Sequence, residues 1–200
     1  MATNKKLKFK VDSVNNIILN WGDLKRISDL SYSDRKEAGI YVWGFTIENT
    51  FIPYYVGIAD NISLRMFEHI NSIISGRYTI FHCNSLANFK DFKNQDIQQD
   101  KTNGKVYIPK WPYNFKEFLD NRKELRPHID FMVDTFTFSY AVVDRKYISG
   151  QDLKEIEKIC INQLGKENLC NTRAGHSARF ILDHIGNKEM ADSFNGRKAK

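Results

Sequence analysis

Cysteine is scarce in this 200-residue chain. Cys83, Cys160 and Cys170 are odd in number and show no Cys-x-x-Cys spacing. That excludes a disulfide framework or a sequence-clustered zinc module as the basis of the fold, and it predicts reduced thiols. Long apolar runs are missing too. No stretch is long enough to span a bilayer, and the N-terminal MATNKKLKFKVDSVNN has no apolar core of the kind that directs export. The expectation is a cytoplasmic protein without membrane contact. Internal repeats and low-complexity tracts are absent as well. What remains is 42% hydrophobic and 27% charged, enough apolar residue for a packed core and too much for wholesale disorder. The length suits one domain with room for an insertion. A net charge of +6 with a pI near 9.1 is compatible with a polyanionic partner, but many basic proteins have none.

The local pattern divides the chain. Residues 1–10 carry Lys5, Lys6, Lys8 and Lys10 without an acid, and LKFKV alternates like a short edge strand. Val14, Ile17, Ile18, Leu24, Ile27 and Leu30 suggest helical turns over 12–31. GIYVWGFTI (39–47) and FIPYYVGI (51–58) are β-branched and aromatic, and Glu48-Asn49-Thr50 has turn chemistry, so an antiparallel hairpin is expected. Pro53 cannot donate to a ladder, which places it near the strand's start or on an edge. Asp60 or Asn61 can cap a helix over roughly 62–75 that ends near Gly76.

Residues 77–128 read as an insertion. They are polar, punctuated by Gly104, Pro109, Pro112 and Pro127, and carry ten Lys/Arg against six Asp/Glu, which is +4 of the chain's +6. Aromatics gather at Tyr107, Trp111, Tyr113, Phe115 and Phe118, and 114–125 has a helical pattern. Strand character returns over 129–143. An amphipathic helix is expected over 153–164, capped by Asp152 and closed by Gly165. A further helix near 177–185 and a frayed tail complete the reading.

One constellation carries chemistry. Gly39-Ile40-Tyr41 is followed, one hairpin later, by Tyr55-Val56-Gly57. Arg65 lies ten residues beyond Tyr55, and His69 sits one helical turn after it, on the same helix face. Glu157 falls in the amphipathic helix and Asn171 after it. Arginine stays protonated and can grip a phosphate with two donors. Histidine can accept or donate a proton near neutrality. A phenol titrates near about 10, so it needs a neighbouring cation to act as a base. Glutamate is a hard oxygen donor for a cation. Taken singly, each has an ordinary reading: tyrosine as strand packing, Arg/His as solvated helix surface, Glu157 as a helix acid, Asn171 as a turn residue.

In order and spacing these residues resemble the GIY-YIG nuclease family. The resemblance covers about 39–75 and 130–172. It implies an α/β (α+β) fold with a small antiparallel three-stranded sheet flanked by helices. The core would be 39–76 and 129–172, with an N-terminal extension (1–38), an insertion (77–128) and a C-terminal helix and tail (173–200). It implies a DNA endonuclease dependent on one Mg²⁺ or Mn²⁺ held by Glu157. Tyr41, Tyr55, Arg65, His69, Glu157 and Asn171 would form the catalytic set. Tyr41 is the first choice to take the water's proton, with Tyr55 and His69 as alternatives, and Asn171 would hold a tyrosine hydroxyl or the phosphate. Tyr54, expected on the opposite side of its strand, is structural. Gly57 would turn the backbone or let phosphate approach closely, and Lys105, Lys110 and Arg173 are candidate nucleic-acid contacts. Where some members carry a lysine three residues after the second tyrosine, this chain has Ile58. Double-stranded DNA is the expected partner. One site cuts one strand, so a double-strand break would take a homodimer or sequential nicking. There is no helix-hairpin-helix, zinc-finger pattern or long linker, which leans toward a restriction-type or standalone enzyme over a repair or mobile-element nuclease. The alternatives are a non-catalytic nucleic-acid-binding module of the same fold and an unrelated α/β protein.

Overall fold

The computed structural model describes residues 15–30, 37–87, 104–110, 112–165, 169–171 and 180–195. Its elements run β1 (Asn15–Trp21), β2 (Gly39–Ile47), β3 (Thr50–Ala59), α1 (Ile62–Ile74), β4 (Ile80–Phe81), α2 (Cys83–Ala87), β5 (Lys105–Tyr107), α3 (Phe115–Asp120), α4 (Arg122–Thr135), β6 (Phe136–Val142), α5 (Gly150–Leu164), β7 (Phe180–Gly186) and α6 (Lys188–Asn195). The fold is mixed α/β, as expected, but its sheet is five-stranded, in the order β3-β2-β6-β1-β7. The expected three strands form one side, β3-β2-β6, all antiparallel. β1 adds antiparallel to β6, and β7 adds parallel to β1. β4 and β5 make a separate two-stranded ribbon.

Both added strands fall where helices were expected. In β1, Ile17, Leu19 and Trp21 are buried while Asn16, Ile18 and Asn20 face outward. In β7, Phe180, Leu182 and His184 are buried between exposed Ile181, Asp183 and Ile185. Both are period-two patterns, and a few apolar residues at mixed spacing had masked them. The boundary near 129 also moves. Leu125, Ile129 and Met132 share a buried helix stripe and Arg126 pairs with Asp130 one turn on, so α4 runs to Thr135 before β6 begins. Beyond β7, residues 188–195 form α6 where a frayed tail was expected. The LKFKV segment, Trp111 and Arg173 lie outside the described residues.

Other local features agree with their chemistry. Asn61 caps α1, accepting from Leu64 N–H at 3.0 Å. α5 begins earlier than expected, at a capping box. Ser149 Oγ accepts from Asp152 N–H at 3.1 Å and Asp152 accepts from Ser149 N–H at 3.3 Å, so Asp152 is the reciprocal partner of the cap. Glu48 and Asn49 adopt φ of 48° and 65° in the two-residue turn of the hairpin. Pro53 lies on edge strand β3.

The sheet is covered on both faces. One face (Ile17, Leu19, Ile40, Val42, Val56, Ala141) packs beneath α5 and α6, with Leu153, Ile156, Cys160 and Phe194 closing it. The other face is aromatic: Tyr41, Trp43, Phe45, Phe136, Phe138 and Tyr140 meet α1, α4 and the β4–β5 ribbon. Full burial of one such large side chain contributes on the order of 1.5–3 kcal/mol. A bulge between Trp43 and Gly44 leaves Tyr54 unpaired, between Tyr55 opposite Trp43 and Pro53 opposite Gly44. Strict alternation therefore fails. Tyr54 and Tyr55 both join the aromatic face, with ring centroids 4.8 and 6.3 Å from Trp43. At this bulge a Cβ on Gly44 would overlap the Ile52 carbonyl oxygen. Gly44→Ala is accordingly expected to lower unfolding free energy by about 1–3 kcal/mol in urea denaturation.

Candidate active site

Tyr41 is the third residue of β2, opposite Gly57 on one side and Tyr140 on the other. A side chain at Gly57 would overlap the Tyr41 hydroxyl and would lie 2.8 Å from Tyr55 Cε1. The absent side chain is the seat of the first phenol and borders the second. The space at Gly57 is thus filled by tyrosine, where the sequence had suggested a turn or an approaching phosphate.

Around that seat a hydrogen-bonded chain forms. Arg65 Nε–H donates to the Tyr41 hydroxyl at 3.2 Å. The Tyr41 oxygen lies 2.9 Å from His69 Nε2, and His69 Nδ1 lies 2.8 Å from the Tyr78 hydroxyl. Arg65 is anchored at its other end by Glu68, Nη1 to Oε2 at 2.6 Å, with a side chain still 38% exposed. Tyr41 and His69 are each 1% exposed, so water cannot complete their bonding. Tyr41 then has one use for its proton, His69 Nε2. This leaves the histidine proton on Nδ1, donated to the hydroxyl of half-buried Tyr78. The rings pack as well as bond: Tyr41 and Tyr55 stack at 6.3 Å, Tyr55 and His69 lie at 5.5 Å, and Tyr78 stacks on Trp43 at 6.2 Å with an interplanar angle of 3°.

Burial decides the protonation states. It pushes Tyr41 well above the ordinary phenol value, and the bond and charge of Arg65 only partly oppose it. Tyr55 is raised by burial and then by the charge of Glu157, against Arg65. Tyr78 is raised for the same first reason. His69 is pushed down to about 3, by burial and then by Arg65. Glu157 is raised by burial, with Lys158, Lys154 and Arg65 pulling the other way. At neutral pH the tyrosines are protonated and His69 is neutral. The cation expected to activate Tyr41 is present as Arg65, but desolvation outweighs it.

Glu157 comes from α5, on the far side of edge strand β3, yet it acts electrostatically on Tyr55 and feels Arg65. The structure therefore brings Tyr41, Tyr55, Arg65 and His69 into contact from β2, β3 and α1, while Glu157 on α5 is linked to them by its charge. Among the described residues, no group of three metal-ligating side chains includes Glu157. Asn171 has a different part. Its Oδ1 accepts from Val56 N–H at 2.9 Å and its Nδ2 donates to the Val56 carbonyl at 2.8 Å. Cys170 N–H donates to the Tyr54 carbonyl at 2.8 Å beside it. Both ends of the Asn171 amide are thus occupied by backbone, away from the tyrosine hydroxyl or phosphate foreseen for it. Lys105 sits in β5 and Lys110 in the exposed turn before α3, where its N–H is capped by Asn114 Oδ1 at 2.7 Å. Neither belongs to the tyrosine network.

Tyr78 is the member that sequence reasoning missed. It follows α1 in a polar stretch taken as insertion, and only its spacing of nine residues from His69 hinted at proximity. Neither a known protein family nor a curated protein nor a solved structure matches this chain significantly.

Two outcomes are expected. Removing the Asn171 amide leaves Val56 N–H and C=O without their edge partner, so Asn171→Ala should destabilise the fold by about 2–4 kcal/mol in urea unfolding. His69 binds its proton less readily folded than unfolded, so its contribution is present above pH about 6.5 and is lost as pH falls toward about 3. Over that window it should lower stability by up to about 1.4 kcal/mol per pH unit. His69→Gln should flatten the pH dependence of the unfolding midpoint relative to the unsubstituted chain.

Proposed function

We propose that the chain is a divalent-metal-dependent endonuclease of GIY-YIG type that hydrolyses DNA phosphodiester bonds. The observation that carries this reading is the cluster of Tyr41, Tyr55, Arg65 and His69 from β2, β3 and α1 around one seat at Gly57, with the charge of Glu157 on α5 felt by Tyr55. Phosphodiester hydrolysis needs an oriented water, a cation on the phosphoryl oxygens and help for the leaving oxygen.

Accessibility divides the labour. Tyr55, Arg65 and Glu157 are half-buried and face what approaches, whereas Tyr41 and His69 are closed off. Arg65 presents its remaining guanidinium N–H groups to a phosphate, its orientation fixed by Glu68 on one side and Tyr41 on the other. Tyr55 orients the attacking water through its hydroxyl, which shifts the first choice away from buried Tyr41. Tyr41, His69 and Tyr78 act behind it, holding the proton between Tyr41 Oη and His69 Nε2 and fixing where Arg65 points. Glu157 fits Mg²⁺ or Mn²⁺, because a lone, partly desolvated carboxylate suits an ion that keeps several waters and takes the rest of its ligands from phosphate. When bound, that ion would neutralise phosphoryl charge and help the 3′ oxygen leave.

Double-stranded DNA is the proposed partner, with Lys105 and Lys110, from the basic 77–128 stretch of the sequence, as phosphate contacts outside the tyrosine network. The test is plasmid DNA incubated with Mg²⁺ beside Glu157→Ala and Arg65→Ala. Cleavage should need the divalent ion, vanish in Glu157→Ala and fall by roughly 100-fold in Arg65→Ala. Cleavage that survives chelation or the loss of Glu157 overturns the mechanism. DNA binding without cleavage under all conditions identifies a binding module instead.

A further inference from the structure

Over the aromatic face of the sheet, beside α1, the layer built by β4, α2 and α4 holds a second group of chemically capable side chains. His82 lies between β4 and α2, Cys83 is the first residue of α2, and His128 comes from α4. One ligand atom from each lies within 4.8 Å of the other two. The imidazole centroids lie 4.6 Å apart, with the rings tilted by 41°. We propose that His82, Cys83 and His128 form a binding site for a borderline-soft divalent cation, zinc by its chemistry, which clamps the β4–α2 corner to α4. This site is independent of the nuclease reading.

The geometry supports it in three ways. First, a ring nitrogen of each histidine and the thiol sulfur already lie close together. Asn84 N–H donates to His82 Nδ1 and Cys83 N–H donates to His128 Nδ1, both at 3.2 Å. Two consecutive backbone N–H groups thus receive the two rings at one corner, and the bonds are long enough for a cation to compete for the lone pairs. The Cys83 sulfur has only a 3.8 Å contact with Asn84 Oδ1. Second, the frame is fixed. His82 N–H donates to the Gly104 carbonyl at 2.7 Å, and one turn along α4 from His128, Met132 Sδ accepts from Phe81 N–H at 3.4 Å. Strand and helix are therefore held together on both sides of the three ligands. Third, the distances close. Ligands around one zinc ion stand roughly 3.5 Å apart, so side-chain rotation of about an ångström brings these three into place. Two imidazoles and a thiolate select zinc, cobalt, nickel or copper over magnesium, in contrast to the lone carboxylate of Glu157. Three protein ligands leave a fourth position for water or an additional ligand.

Cobalt(II) reports this site directly, because thiolate ligation gives a near-ultraviolet charge-transfer band and tetrahedral geometry gives intense visible bands. The full-length chain should bind one Co²⁺ with both features, Zn²⁺ should displace it, and excess Mg²⁺ should not. Cys83→Ser should abolish the charge-transfer band and Cys170→Ser should keep it. His128→Gln and His82→Gln should each weaken binding by more than about tenfold. Circular dichroism and melting in chelator confirm that each variant folds. A chain that gives no thiolate band, a band that persists in Cys83→Ser, or affinity unchanged in both histidine variants overturns the proposal. Should a variant fail to fold, the unsubstituted chain and Cys170→Ser still decide, since a thiolate band in both leaves only Cys83 and the fully buried Cys160 as donors, and blocking of Cys83 by a thiol reagent must then remove it.

Discussion

The absence of a side chain at Gly57 is the constraint on which the candidate site depends. It lets the Tyr41 phenol lie flat across β3, where Arg65 and His69 can both reach its oxygen. Without that seat the phenol would be displaced from the chain of bonds that leads to Tyr78, and Arg65 would lose one of its two anchors. A single missing methyl group thus sets the positions of two charged or titratable groups on α1 and one beyond it. Close packing makes this possible, since the surrounding rings leave no alternative place for the phenol.

A second device works on the other side of β3. An edge strand exposes unpaired backbone groups, and here Cys170 and Asn171 take up those of Tyr54 and Val56. The segment that follows α5 is thereby stitched to the strand that carries Tyr55. Because Glu157 lies on α5, the same stitch ties the helix carrying that carboxylate to the strand carrying Tyr55, whose phenol feels its charge. Asn171 serves the site through backbone geometry, and its polar atoms are fully committed there.

Burial then sets the chemistry available. Tyr41 and His69 are closed to solvent, so desolvation keeps the phenol protonated and the imidazole neutral even with Arg65 in contact. The half-buried side chains of Tyr55, Arg65 and Glu157 stay partly accessible, while Tyr41 and His69 are closed off beneath. The hard carboxylate of Glu157 and the nitrogen–sulfur corner at His82, Cys83 and His128 suit different cations, and they are carried by different layers of the fold.

Much of the hairpin and of α1 and α5 could be read from the sequence, because caps, turn residues and strong periodicity are local: Asn61, Glu48-Asn49, and the stripes of both helices, although α5 starts at Ser149 and not at the expected Asp152. The order of Tyr41, Tyr55, Arg65, His69 and Glu157 was likewise legible. β1 and β7 were not, since seven-residue strands with apolar residues on both faces imitate a helical pattern, and only pairing at the sheet's far side distinguishes them. The bulge at Trp43 that turns Tyr54 inward, the membership of Tyr78, the commitment of Asn171 to Val56 and the burial that raises Tyr41 all rest on contacts between residues distant in sequence. The sequence by itself determined which chemical groups are present and in what order. Which of them share a dielectric environment, and so which are charged, was decided by tertiary packing, because desolvation depends on neighbours from every layer.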